Sequence, residues 1–110
     1  MEKILRYYQS QNGKSQLLEW LESLKDILTR SRIERRLMRL SFCQYGDSKS
    51  ITNSISELRL HFGSGYRIYF TETKDEIVLL CGGDKSTQEK DIEKAKKIFK
   101  ELEQENHVEN

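Results

Sequence analysis

Two short segments place charged and aromatic side chains where they could act together on a phosphate. Glu57-Leu58-Arg59-Leu60-His61-Phe62 and Tyr66-Arg67-Ile68-Tyr69-Phe70 alternate, with the period of a strand that has one buried face. Gly63-Ser64-Gly65 between them reads as a hairpin loop. Paired residues in such a hairpin share a face, so their numbers must sum to an even total. That requires a three-residue loop or a bulge, which the two glycines permit. Leu58, Leu60 and Phe62 then face one core with Tyr66, Ile68 and Phe70. Arg59 and His61 share the other face with Arg67 and Tyr69, and Lys85 follows the next strand. Cleaving RNA without a metal needs a base for the 2′-hydroxyl, cations for the charge on the phosphorane, and an acid for the leaving 5′-oxygen. Guanidinium groups match phosphate oxygens in bidentate fashion. Tyr69 and His61 can transfer protons, or stack on splayed bases. A plain solvated sheet face shows the same alternation, so the pattern leaves both readings open.

A second cluster lies upstream. In a helix spanning about Thr29–Tyr45, Arg32, Arg35, Arg36 and Arg39 fall in one arc of about 100°. Such a stripe can bind RNA phosphates or simply be a solvated face. Gly82-Gly83-Asp84-Lys85 lacks the spacing of a Walker loop. Its glycines allow close backbone approach, and the segment reads equally as a plain strand-to-helix turn. Cys43 and Cys81 stand alone, one on a helix and one on a strand, and both read as core. No metal site or disulfide framework is expected from them.

The elements that position these residues follow from periodicity. Ile4–Gln9 reads as a first strand and Gln11-Asn12-Gly13 as a turn. Ser15 caps a helix carrying Leu17, Leu21, Leu24 and Leu28. The second helix buries Ile33, Leu37 and Leu40 and ends at Gly46, forming an αα-hairpin with the first. Glu76–Cys81 is a continuous apolar run, the mark of a central strand covered on both faces. Residues 82–86 read as a loop, and Thr87 caps a last helix with Ile92, Ala95, Phe99 and Leu102 as its stripe. Residues 103–110 read as a frayed tail. The expected fold is α+β, ordered β-αα-βββ-α, with a mainly antiparallel sheet and its helices against one face.

Composition bounds the rest. The 110 residues suffice for a single domain. Hydrophobic and charged residues are nearly balanced, at 35% and 34%. No apolar run is long enough for a membrane span, and the start of the chain has no signal-peptide core, so a cytoplasmic protein is expected. The net charge is only +1, but residues 1–85 hold 14 basic against 11 acidic residues, and residues 86–110 hold 5 against 7. A basic body with an acidic tail can still bind phosphate locally.

Ile55-Ser56-Glu57-Leu58-Arg59, Gly65-Tyr66-Arg67-Ile68-Tyr69-Phe70, Leu79-Leu80-Cys81-Gly82-Gly83-Asp84-Lys85-Ser86, and Asp91-Ile92 with Ala95-Lys96 occur in that order. This series resembles the RelE/HigB-like toxins of type II toxin–antitoxin modules, in particular the phage-derived addiction module killer protein branch. The resemblance is tight over residues 55–99; the first strand and αα-hairpin match in layout only. It implies a RelE-like fold and a ribosome-dependent mRNA endoribonuclease that works by 2′-hydroxyl attack, with no cofactor. It also implies a cognate antitoxin, usually a helix-turn-helix DNA-binding protein. Arg59, Arg67 and Lys85 take the positions of the family's phosphate and transition-state cations. The chain-end tyrosine of some relatives has no counterpart in Glu101–Asn110, and the histidine–aspartate set of another subgroup is missing. Tyr69 and His61 are then the proton-transfer candidates, with Glu57 behind them. A ParE-like gyrase-inhibiting toxin and an inactive antitoxin-binding module are the alternatives. An effect on translation rather than supercoiling, and arrest rather than survival, would separate them.

Overall fold

A computed structural model describes residues 2–109, with side chains described through Glu105. The chain runs β1 (Ile4–Tyr7), α1 (Gln16–Ser23), α2 (Ile27–Ser41), β2 (Ser48–Ser50), β3 (Ser56–Leu60), β4 (Tyr66–Glu72) and β5 (Glu76–Asp84). A short 3-10 turn (Lys85–Thr87) then leads into α3 (Gln88–Glu109). The five strands form one open sheet, ordered β1-β5-β4-β3-β2. Only β1 runs parallel to its neighbour β5; the other pairings are antiparallel. The fold is therefore α+β, as alternation and helical spacing indicate.

The β3–β4 register follows the even-sum rule. Leu58 pairs with Ile68, Arg59 with Arg67, and Leu60 with Tyr66. Leu58, Leu60, Ile68, Phe70, Ile77 and Leu79 form one core face, which α1 and α2 cover with Leu17, Leu21, Ile33, Leu37 and Leu40. β5 is an internal strand, buried over Ile77–Cys81. A bulge between Tyr69 and Phe70 shifts the β4–β5 register. It lets both Leu80 and Cys81 join the opposite core, with Tyr69 and Val78.

The helices do not share one face, contrary to expectation. α3 packs on the opposite side, where Ala95, Ile98 and Leu102 meet Tyr69, Val78 and Leu80. The apolar run of β5 requires this second layer, since both of its faces need cover. The expected stripe of α3 is also redrawn. Ile98 is buried between Ala95 and Leu102, while Ile92 and Phe99 are partly buried beside them. The helix continues to Glu109 rather than fraying from Glu103, and Asn110 lies outside the described residues.

Several boundaries differ as well. Leu28 is 74% exposed, because α1 ends at Ser23 and a new helix begins under the Asp26 cap. The Asp26 carboxylate accepts from the Leu28 N–H at 3.0 Å. α2 ends at Ser41, short of Tyr45. Cys43 adopts φ 60°, its N–H donates to the Leu40 carbonyl at 2.8 Å, and the Gln44 N–H donates to the Arg39 carbonyl at 3.0 Å. That is a Schellman closure with cysteine in the place glycine usually holds. Cys43 is accordingly half-buried beyond the helix, not a core helical residue. β2 has no alternating pattern and is a three-residue addition to the sheet edge. Gly82, Gly83 and Asp84 belong to β5 rather than to a loop. Asp84, not Thr87, caps the turn that follows, its carboxylate accepting from the Ser86 N–H at 2.8 Å.

Candidate phosphate-binding site

The antiparallel register lays two rows of side chains across β3, β4 and β5 on the α3 side of the sheet. Glu57, Tyr69 and Cys81 form one row, and Arg59, Arg67 and Gly83 the next. α3 covers the first row fully. Glu57 and Tyr69 are both 0% exposed. The Glu57 carboxylate accepts from Arg59 Nε at 2.9 Å, the Tyr69 hydroxyl at 2.9 Å and Gln88 Nε2 at 3.0 Å. Arg67 stands 4.0 Å away. Burial pushes the Glu57 pKa up, but hydrogen bonds from Arg59, Gln88 and Tyr69, with the Arg67 charge, outweigh it and hold the pKa below the usual carboxylate range. The Tyr69 phenol is pushed well above its ordinary value, by burial first and then by its bond to Glu57.

Two guanidinium groups thus share the Glu57 carboxylate. The Arg59 and Arg67 side chains remain 29% and 13% exposed, so solvent-side anions can reach them. Gly83 admits the Asp91 carboxylate of α3 against its backbone, where a Cβ would overlap Asp91 and lie 2.7 Å from Thr87 Oγ1. Lys85 is exposed just beyond the strand end, its stem alongside Gly65, where an added Cβ would meet Lys85 Cε at 2.9 Å.

Arg59 also faces a second feature. A cleft of about 490 Å³ is lined by Arg32, Arg35, Arg36, Arg39, Asp47, Arg59, His61 and Phe62, among others. The helix stripe and the strand residues, separate in sequence, meet there at the edge of the sheet. Five arginines and one aspartate line it, and Asp47 is paired with His61. The bond from His61, then its charge, holds Asp47 below the usual carboxylate range against the opposing effect of burial. The carboxylate can only accept, so Nε2 of His61 donates and a neutral imidazole keeps Nδ1 as its lone-pair nitrogen.

The arginines of the stripe have different duties. Arg36 donates to the Gln44 carbonyl at 3.2 Å and also to the Tyr45 carbonyl, holding the α2–β2 loop closed. A Cβ at Gly46 would overlap its guanidinium. Arg32 stacks on the Phe62 ring at 3.8 Å. Arg35 and Arg39 are exposed.

The structure therefore joins Arg59 to both Arg67 and the helix stripe, and it places His61 in the cleft. Tyr69 lies beneath the cations, out of contact with solvent. Gln88, Asp91 and Asp47 are additional members. Glu57 shares strand parity with Arg59 and could have been read as their partner; the other three belong to elements whose placement the sequence pattern does not reveal. Among the described residues, no group of three or more His, Cys, Asp or Glu side chains is arranged to hold a metal ion. No helix among them is long and apolar enough to cross a membrane.

The fold and this cleft define a small α+β protein with an arginine-lined cleft at the sheet edge. Residues 19–102 match the family described as Phage derived protein Gp49-like (DUF891), and the chain belongs to that family. The family is associated with the toxins of toxin–antitoxin modules. The chain is also similar to a Haemophilus influenzae protein described only as uncharacterized, with 48% identity over 84 residues covering 76% of this chain and 85% of that protein. No solved structure matches it.

Proposed function

We propose that this protein is the toxin of a type II toxin–antitoxin module, RelE/HigB-like, and that it cleaves mRNA on the ribosome by 2′-hydroxyl attack. The observation that carries this reading is the convergence of Arg32, Arg35, Arg39 and Arg59 with His61 in one open cleft. The adjoining Arg67 and Lys85 extend the positive surface toward the end of β5. Arginine clusters of this kind bind phosphates and stabilise charge that develops on them.

The roles divide by accessibility. Arg59, Arg67 and Lys85 neutralise the phosphorane. His61 is the reachable base: its side chain is 66% exposed, and Asp47 orients it. Glu57 and Tyr69 act as positioning residues, since neither is exposed to a substrate. The partners are then the ribosome with its mRNA, and a cognate antitoxin of the helix-turn-helix type, all in the cytoplasm.

The test uses purified protein and ribosomes programmed with a short mRNA. Cleavage yielding a 2′,3′-cyclic phosphate, and blocked by one 2′-deoxy nucleotide at the cut, supports the reading. Intact mRNA would overturn it. One observation favours a second reading: Arg59 and Arg67 are already paired with Glu57. In that case they hold the sheet, and the protein acts by binding alone, as a gyrase inhibitor or an antitoxin sink. Growth arrest with uncut mRNA would select the gyrase inhibitor, and survival the antitoxin sink.

A further inference from the structure

The cleft has a flat wall as well as charges. Arg32 lies over the Phe62 ring at 3.8 Å, Phe62 meets Tyr66 at 5.6 Å between centroids, and Tyr66 meets Trp20 at 5.9 Å. Trp20 in turn sits against Gly82 of β5, where a Cβ would come within 2.7 Å of its ring. The guanidinium is therefore the outermost member of a chain of edge-on and tilted ring contacts that ends against the sheet. Arg32 is exposed, and no ion pair among the described residues includes it. The guanidinium carbon lies 3.8 Å over the ring centroid, so the ring fixes the group at the cleft wall. Rings and guanidinium planes are what unstacked RNA bases stack upon.

We infer that Arg32, backed by Phe62, is a stacking platform for one unpaired nucleobase of the RNA strand whose phosphates lie along Arg35 and Arg39. This rests on the ribonuclease reading and deepens it. The platform makes no base-edge hydrogen bonds, so it accepts any base and favours purines for their larger overlap.

The experiment is single-turnover cleavage of ribosome-bound short mRNAs, each with one abasic nucleotide at a successive position around the cut. The wild type, Arg32→Lys and Phe62→Leu are compared, with thermal melts to confirm folding. Lysine keeps the charge and loses the plane. The wild type should lose about tenfold in rate or affinity when the abasic nucleotide reaches one particular position. Arg32→Lys should lose a similar factor on intact mRNA and nothing further on that abasic mRNA, and Phe62→Leu should follow in the same direction. Independent, multiplicative losses, or full activity of Arg32→Lys, would overturn the platform while leaving the ribonuclease standing. No cleavage of any mRNA by the wild type would overturn both.

Discussion

Replacing Glu57 by Gln removes a negative charge that is itself out of contact with solvent and is shared by two guanidinium groups. The carboxylate takes Arg59 on Oε1, and the Tyr69 hydroxyl and Gln88 on Oε2. A glutamine can keep Arg59 on its oxygen and donate its amide to the Tyr69 hydroxyl and a flipped Gln88, so what is lost is the negative charge that the two guanidinium groups share. Only the carboxylate is fully buried, and the arginines keep some solvent, so the loss is that of a charged hydrogen bond, about 1.5–3 kcal/mol. In a domain of this size, about 4 °C per kcal/mol turns that into a fall of roughly 6–12 °C in melting temperature. Scanning calorimetry or near-ultraviolet circular dichroism would read it. The pH dependence has a definite sign. The folded pKa of Glu57 is lowered, so its contribution is fully present above the unfolded value of about 4.3 and is lost as pH falls through the folded value. The gap between wild type and Glu57→Gln should therefore narrow below about pH 4. A variant melting within about 3 °C of wild type at neutral pH, or a gap independent of pH, would refute the reasoning.

Three further outcomes follow from the same geometry. Gly83→Ala forces a Cβ into the Asp91 carboxylate and should destabilise by about 1–3 kcal/mol in denaturant unfolding, whereas an unchanged midpoint would mean that α3 can retreat freely. Arg67→Ala should lower the cleavage rate by two or more orders, and Lys85→Ala should abolish growth arrest with an unchanged melt; a loss under tenfold would make either residue structural only. Reversing charge at Arg35 and Arg39 should weaken ribosome binding and reduce its salt slope by about one for each phosphate no longer neutralised, and unchanged titrations would return the stripe to a solvated face.

Much of this arrangement is legible in the chain, for identifiable reasons. Strict alternation over residues 57–62 and the even-sum rule place Arg59 opposite Arg67, as observed. Ile33, Leu37 and Leu40 mark the inner face of α2 and so its arginine stripe. What is missing depends on tertiary choice. Helical spacing gives α3 an apolar stripe but not the sheet face it covers. Because α3 lies on the polar face, Glu57 and Tyr69 are buried where alternation reads solvent. The stripe and the strand end, read as separate sites, meet only because α2 stops at the left-handed Cys43 and the following loop brings Asp47 beside His61.

The most direct test of the central claim is to induce this chain alone in a bacterium and map mRNA ends within minutes. The expected result is growth arrest with cuts inside translated frames, at a fixed position within codons, lost in Arg67→Ala and Lys85→Ala. Arrest with intact mRNA, or cuts outside translated frames, would contradict it.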